Sequence, residues 1–296
     1  MVGMKDRLWF WLANILFAGC SGGDESGGPA KLDLEYPEPL AGIIDKAVDV
    51  DELDDSQLKD DFFSYSLYEP NDKTPDSGWI KRIFRGKVTL LAEVEDGTLN
   101  GTSILFDEDG SKSSESTYLR GVLHGPHAEF LPDGGKILEG AYRAGKEQGP
   151  WRYWRDDGTL ERDASYDNGE QVGSFTKYHP NGSKAMEGNM NGPITKWFDD
   201  NKTQAKGTFL NGKLHGSYTE WNRGGTRQLD ATYEEGNLHG PYARWFDATH
   251  KSVEGVYKDD KQDGVWTHYH PPSKGGSPRI IHTFDNGKTV KREVLP

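Results

Sequence analysis

Aromatic and small residues, with few aliphatic ones, set the periodicity of this chain, and the period is 24. Gly101, Gly125, Gly149 and Gly173 are spaced by 24, as are Gly192, Gly216, Gly240 and Gly264, with one spacing of 19 between the two sets; Gly78 precedes them by 23. With each of these glycines as position zero, the fifth residue is always aromatic: Phe106, Phe130, Trp154, Tyr178, Trp197, Trp221, Trp245 and Tyr269. The ninth is Gly110, Gly134, Gly158, Gly182, Asn201 or Gly225, usually after Asp or Asn, with Thr249 as the exception. Asp-Gly between alternating segments reads as a tight hairpin turn, because such turns need positive φ. The seventeenth residue is Tyr118, Tyr142, Tyr166, Met190, Phe209, Tyr233 or Tyr257, and a further Gly three residues on in most units marks the turn into the next hairpin. Nine units of two short strands each are predicted, the first degenerate and the last with a longer turn from His270 to Arg279. Stacked in order, they give an all-β fold, a single-layer meandering antiparallel sheet. The five residues missing near Met190 to Pro193 predict one shortened turn and a local kink.

Pairing across an Asp-Gly turn sets the second residue of each unit against the fifteenth. The fifteenth is always small (Ser116, Gly140, Ala164, Gly188, Gly207, Ala231, Gly255), and opposite it stand Trp151, Phe175, Ile194, Tyr218 and Tyr242 in five of seven units. A ring laid over bare backbone seals a sheet face, so this face is expected to be the packed one. Alternation sends the fifth-position aromatics to the other face. The fourteenth residue joins them there: Glu115, Glu139, Asp163, Glu187, Lys206, Asp230 and Glu254, six of seven acidic. Together these aromatic and acidic ladders form the candidate interaction face. They suit a basic or cationic segment through cation–π and ion-pair contacts. The same rings serve equally well to stack on one another while the carboxylates keep the face soluble.

Composition agrees with an extended array. Of 296 residues only 33% are hydrophobic, while 37 are Gly, too sparse an aliphatic supply for two well-filled globular cores. The formal net charge of −13 is concentrated: residues 33–76 carry fourteen Asp or Glu against three Lys, which leaves residues 77–296 near neutral. With no basic stripe, nucleic acid is not an expected partner.

The chain begins with Lys5 and Arg7 ahead of an apolar run from Leu8 to Phe17, then Ala18, Gly19 and Cys20. This is the layout of a signal peptide over residues 1–19, and the run is too short to span a bilayer. Cys20 is the only cysteine, so no internal disulfide forms. The stretch Leu16-Phe17-Ala18-Gly19-Cys20 resembles the lipobox of bacterial lipoproteins, which implies lipidation of Cys20, membrane anchoring and a place in the bacterial cell envelope. A plain secretory signal cut near Ala18, or an uncut anchor, stays open. Residues 20–32 have tether composition. Residues 33–76 read as a partly disordered acidic segment or N-terminal cap, with weak helical spacing at Leu40, Ile43, Ile44 and Ala47 and a cap contribution from Phe62, Phe63, Tyr65, Leu67 and Tyr68. The repeat domain follows over residues 77–296.

The turns Gly212-Lys213-Leu214-His215-Gly216, Gly236-Asn237-Leu238-His239-Gly240 and Gly121-Val122-Leu123-His124-Gly125, with the recurring aromatics, resemble MORN repeats in the variant form of bacterial YwqK-family antitoxins. The resemblance covers about residues 77–290. It implies a single-layer sheet of hairpins serving as a scaffold for protein or membrane contacts, without catalysis. No triad spacing, phosphate loop, cofactor motif or set of metal ligands interrupts the repeat, so neither an enzyme nor a small-molecule site is expected. The reading from sequence is therefore a lipid-anchored protein-binding or scaffolding module with a protein partner. An antitoxin neutralising a cognate toxin and a carbohydrate binder with exposed aromatic rows are the alternatives.

Overall fold

The computed structural model describes residues 38–49, 77–275 and 277–295. The signal segment, Cys20, the tether and the aromatics from Phe62 to Tyr68 lie outside them. The described chain is one open sheet of 21 strands. From Ser77–Phe84 to Lys288–Val294 each strand pairs antiparallel with the one before it, save that Lys213–Leu214 and Gly216–Trp221 both pair with Thr203–Leu210, and only the two-residue strand Val48–Asp49 is parallel, lying against Ser77–Phe84. The predicted single-layer meander is what the chain forms.

The turn chemistry differs from the expectation. The Asp-Gly pair does not make the tight two-residue turn. In the first such loop Asp107 N–H donates to Ser111 O and Gly110 N–H to Asp107 O, so three residues, 108–110, form the loop, with Gly110 at φ +91°. This is a type I turn closed by a left-handed glycine. Asp109 serves the loop through its side chain. Its carboxylate accepts the Ser111 N–H at 2.8 Å, and Asp133, Asp157 and Asn181 do the same in later units. The two-residue turns sit at the opposite end of the strands. At Arg120-Gly121 both central residues have positive φ, +50° and +77°, between the directly paired Leu119 and Val122. Ala144, Asn168, Asn211 and Glu235 take the same conformation.

Those turns stack on one another. Gly121 N–H donates to Leu99 O, Gly145 to Leu123 O, Gly169 to Glu147 O and Gly236 to Leu214 O. The first turn residue also gives its N–H to a side chain one unit back: Arg120 to Asn100, Asn168 to Gln148, Asn211 to Asn191. The same position is held by His in the Leu-His-Gly turns. Ala144 N–H approaches His124 Nδ1 there at 3.5 Å, whereas His239 Nδ1 pairs with the Asp259 carboxylate at 3.2 Å.

The period-24 glycine lies just beyond this turn, where the register slips. Ser116 pairs with His127 and Tyr118 with Leu123, so one residue opposes three, and Gly125 takes φ +104° in the surplus. A residue with a Cβ resists that conformation. The short unit removes the outer turn and its bulge together: Gly188 pairs with Ile194 across five residues, and the strands Lys184–Asn189 and Pro193–Trp197 are correspondingly short. Pairing continues through them without a break.

The packed face is the one expected, with one correction. The second and fifteenth positions are cross-strand partners, as in His127 with Gly140 and Tyr242 with Gly255. The side chain that covers each glycine, however, comes from the following unit, a ring over Gly140, Gly207 and Gly255 and Ile194 over Gly188. A Cβ on Gly140 would lie 2.2 Å from the Trp151 indole, and one on Gly255 would lie 2.3 Å from that of Trp266. Trp151 and Trp266 are 2% exposed, because Tyr142 closes over the first edge to face at 5.0 Å and Tyr257 over the second at 4.9 Å. A one-layer sheet thus buries its rings between backbone below and tyrosines beside. At the N-terminal end the packing is aliphatic, from Ile80, Leu90, Ala92 and Val94 with Val48 and Leu99 against them. A helix, Glu38–Ile44, precedes the parallel strand. Lys81 Nζ donates to Ile44 O at 2.9 Å, and Ile44 and Ala47 are buried. The weak helical spacing at Leu40 to Ala47 thus corresponds to a helix and a short strand that pairs with the first edge.

Candidate interaction face

The fifth-position aromatics and the fourteenth-position acids lie together, and three of the aromatics are bonded to an acid. Trp245 Nε1 donates to Asp230 Oδ2 at 2.9 Å and the Tyr178 hydroxyl to Asp163 Oδ2 at 3.1 Å. The Tyr269 hydroxyl donates to Glu254 in the same way. Each contact spans 15 residues and runs from an aromatic to the acid of the preceding unit. Phe106, in the first unit, is buried; Phe130, Trp154, Tyr178, Trp197, Trp221, Trp245 and Tyr269 are half-buried.

A third ladder completes the arrangement, one that the aromatic and acidic periodicities do not reveal. The eleventh residue is Lys112, Lys136, Lys184, Arg227 or Lys251 in five of seven units. Each pairs with the acid three residues on: Lys112 with Glu115 at 2.8 Å, Lys184 with Glu187 at 2.9 Å, Arg227 with Asp230 at 3.2 Å, and likewise Lys136 with Glu139 and Lys251 with Glu254. The same cations lie over the rings, Lys112 4.3 Å from the centre of Phe130 and Arg227 3.9 Å from that of Trp245. The turn bulge brings this about, since Trp245 pairs with Lys251 rather than with the residue that strict alternation would give it. The recurrence of Lys or Arg two residues after the loop glycine was the available signal.

The electrostatics follow from this pairing. The Lys136 ammonium holds the Glu139 carboxyl below the usual carboxylate range, and Lys251, with Tyr269, does the same for Glu254. Burial, and then the bond to Glu254, pushes the Tyr269 phenol up to about 12. These two carboxylates are therefore ionised near neutrality, and each is already paired with a lysine of the chain. A cationic partner arriving at this face would have to displace Lys or Arg side chains already in place.

Between the ladders the face is lined by small residues, and two equivalent depressions open on it. One of about 620 Å³ is lined by Ser217, Thr219, Pro241, Ala243, Val256 and Val265 with Asp230, Trp245, Lys251 and Glu254. The other, about 480 Å³, is lined by Thr117, Pro126, Ala128, Ala141 and Pro150 with Glu115, Phe130, Lys136 and Glu139. The two sets share repeat positions.

Elsewhere His268 and His282 meet edge to face at 5.4 Å. Burial, then the charge of His282, holds His268 below the usual imidazole range. Among the described residues no three of His, Cys, Asp or Glu gather as metal ligands.

No family model matches the chain, and no curated protein does. Among solved structures, the TcdB2-TccC3-Cdc42 assembly is 11% identical over 74% of this chain and 14% of that one, with a TM-score of 0.15. The TcdB2-TccC3-TEV assembly is 11% identical over 79% and 16%, with a TM-score of 0.19. The chain thus spans about a sixth or less of the proteins it matches, and similarity this low bears on neither fold nor function.

Proposed function

We propose that this protein is a non-catalytic, lipid-anchored envelope protein of MORN-repeat type that binds a protein partner along the ladder face. The observation that carries the reading is the pair of equivalent depressions, recurring along one face of an open array whose other face is closed by its own rings. Repeat arrays with such a surface present it as an extended docking site. The self-neutralised ladders favour a partner held by shape and a few unpaired groups over one held by bulk charge.

A photo-crosslinking residue at Ser217, within the larger depression, is expected to trap a discrete adduct in cells, while one at the exposed Lys177 on the packed face does not. Equal adducts from both positions, or none from Ser217, would overturn the reading. The anchor has its own test. Radiolabelled fatty acid is expected to enter the wild-type chain and not Cys20→Ala, and equal labelling of the two would exclude lipidation at this cysteine.

A further inference from the structure

One rung of the ladder is inverted. Where other units place an acid at the fourteenth position, the unit beginning at Gly192, directly after the short one, has Lys206, and its eleventh residue is Thr203 rather than Lys or Arg. Trp221 stands 15 residues after Lys206, the separation that joins Trp245 to Asp230 and Tyr178 to Asp163. Trp221 has no carboxylate at that position to receive its indole N–H. Neither that nitrogen nor the Lys206 ammonium has a partner among the described residues. On the two flanking strands the backbone partners of Lys206 are Thr195 and Thr219. The Thr219 hydroxyl is engaged with Asp230 at 3.1 Å, and that of Thr195 has no partner among the described residues. The open groups at this rung are therefore two donors and one hydroxyl, with no anion to receive them.

Resting on the protein-binding reading above, we infer that this rung is the docking point for an acidic segment of a partner protein. A partner Asp or Glu carboxylate takes the place that the fourteenth-position acid fills in cis elsewhere. It receives the Lys206 ammonium and the Trp221 N–H, the two kinds of donor that Asp230 receives from Arg227 and Trp245. Charge complementarity favours the acidic occupant: residues 184–230 carry seven Lys or Arg against five Asp or Glu, on a chain of net charge −13. The contact from the exposed Lys206 ammonium is charge-assisted and weakens with salt, and the N–H of the half-buried Trp221 adds a second donor beside it.

The test uses the full chain and a fluorescein-labelled hexaglutamate peptide read by anisotropy. Wild type is expected to bind it saturably below about 1 mM, Lys206→Glu about tenfold more weakly, and Trp221→Phe, which keeps the ring and loses the donor, about threefold more weakly. Hexaglutamine should bind no better than Lys206→Glu binds hexaglutamate. The melting temperature of Lys206→Glu should equal or exceed that of wild type, because the new carboxylate completes the rung with Trp221; this separates lost binding from lost folding. Unchanged peptide affinity in Lys206→Glu, equal binding of hexaglutamine, or tighter binding of a carboxylated saccharide such as trigalacturonate would overturn the inference. If the Ser217 adduct persists in Lys206→Glu while peptide binding never depended on Lys206, the docking point is wrong and the protein-binding reading stands.

Discussion

Gly255→Ala is expected to cost about 3 kcal/mol of folding stability, a large effect for one methyl group. The new Cβ would lie 2.3 to 2.6 Å from three atoms at the middle of the Trp266 indole, so no swing of a flexible tip relieves the clash. The ring must lift as a whole, and it then loses both the backbone beneath it and its 4.9 Å contact with Tyr257. Ala164 and Ala231 occupy the same repeat position and are buried there, so the position accepts alanine where the covering side chain is not an indole. The contrast sharpens the prediction: Gly140→Ala, under Trp151, should behave like Gly255→Ala, whereas Ala231→Gly should shift the denaturation midpoint only slightly. Guanidinium unfolding curves of the three variants decide it, and equal midpoints for Gly255→Ala and wild type would show that the ring is not seated on the glycine.

The second large effect separates two tryptophans three residues apart. Trp151→Ala is expected to lower stability by about 3 to 5 kcal/mol, because a buried indole is lost and its site, walled by backbone and tyrosines, cannot collapse fully. Trp154→Ala removes a half-buried ring from the ladder face and should cost about 1 kcal/mol. It should weaken partner capture instead. Similar losses for both would mean that the two faces share the packing equally.

Much of this was legible in the chain. The strict recurrence of aromatic and small residues at fixed offsets was enough for the sheet, its order and its packed face, since each depends only on spacing. The turn types were not legible. Arg120, Ala144 and Glu235 adopt left-handed φ although their side chains do not favour it, and they do so because the paired strands on either side and the bonds from the preceding turn hold them there. Asp109 and its equivalents looked like turn residues because they cap a loop through the side chain. On the ladder face, strict alternation located the acids and the aromatics. It could not anticipate the bulge that swings Lys112 or Lys251 beside them, and so the acidic row looked free when it is paired.

The turn contacts and the ring contacts between units share a direction. Turn amides of each unit donate to the unit before it, as Gly121 does to Leu99; Trp151 lies on the earlier Gly140; Trp245 donates to the earlier Asp230. A hairpin leaving the ribosome therefore meets turn acceptors and a ring seat that are already built, while its outer strand offers an open edge, and donors such as the Arg155 guanidinium that reaches Tyr178 O, to the next. Such a chain can be assembled one hairpin at a time from its N-terminus, each hairpin completing its turn contact and its ring seat on the one before. Removing units from the front, by contrast, takes the acceptor from the turn amide and the glycine seat from the covering ring of the new first hairpin.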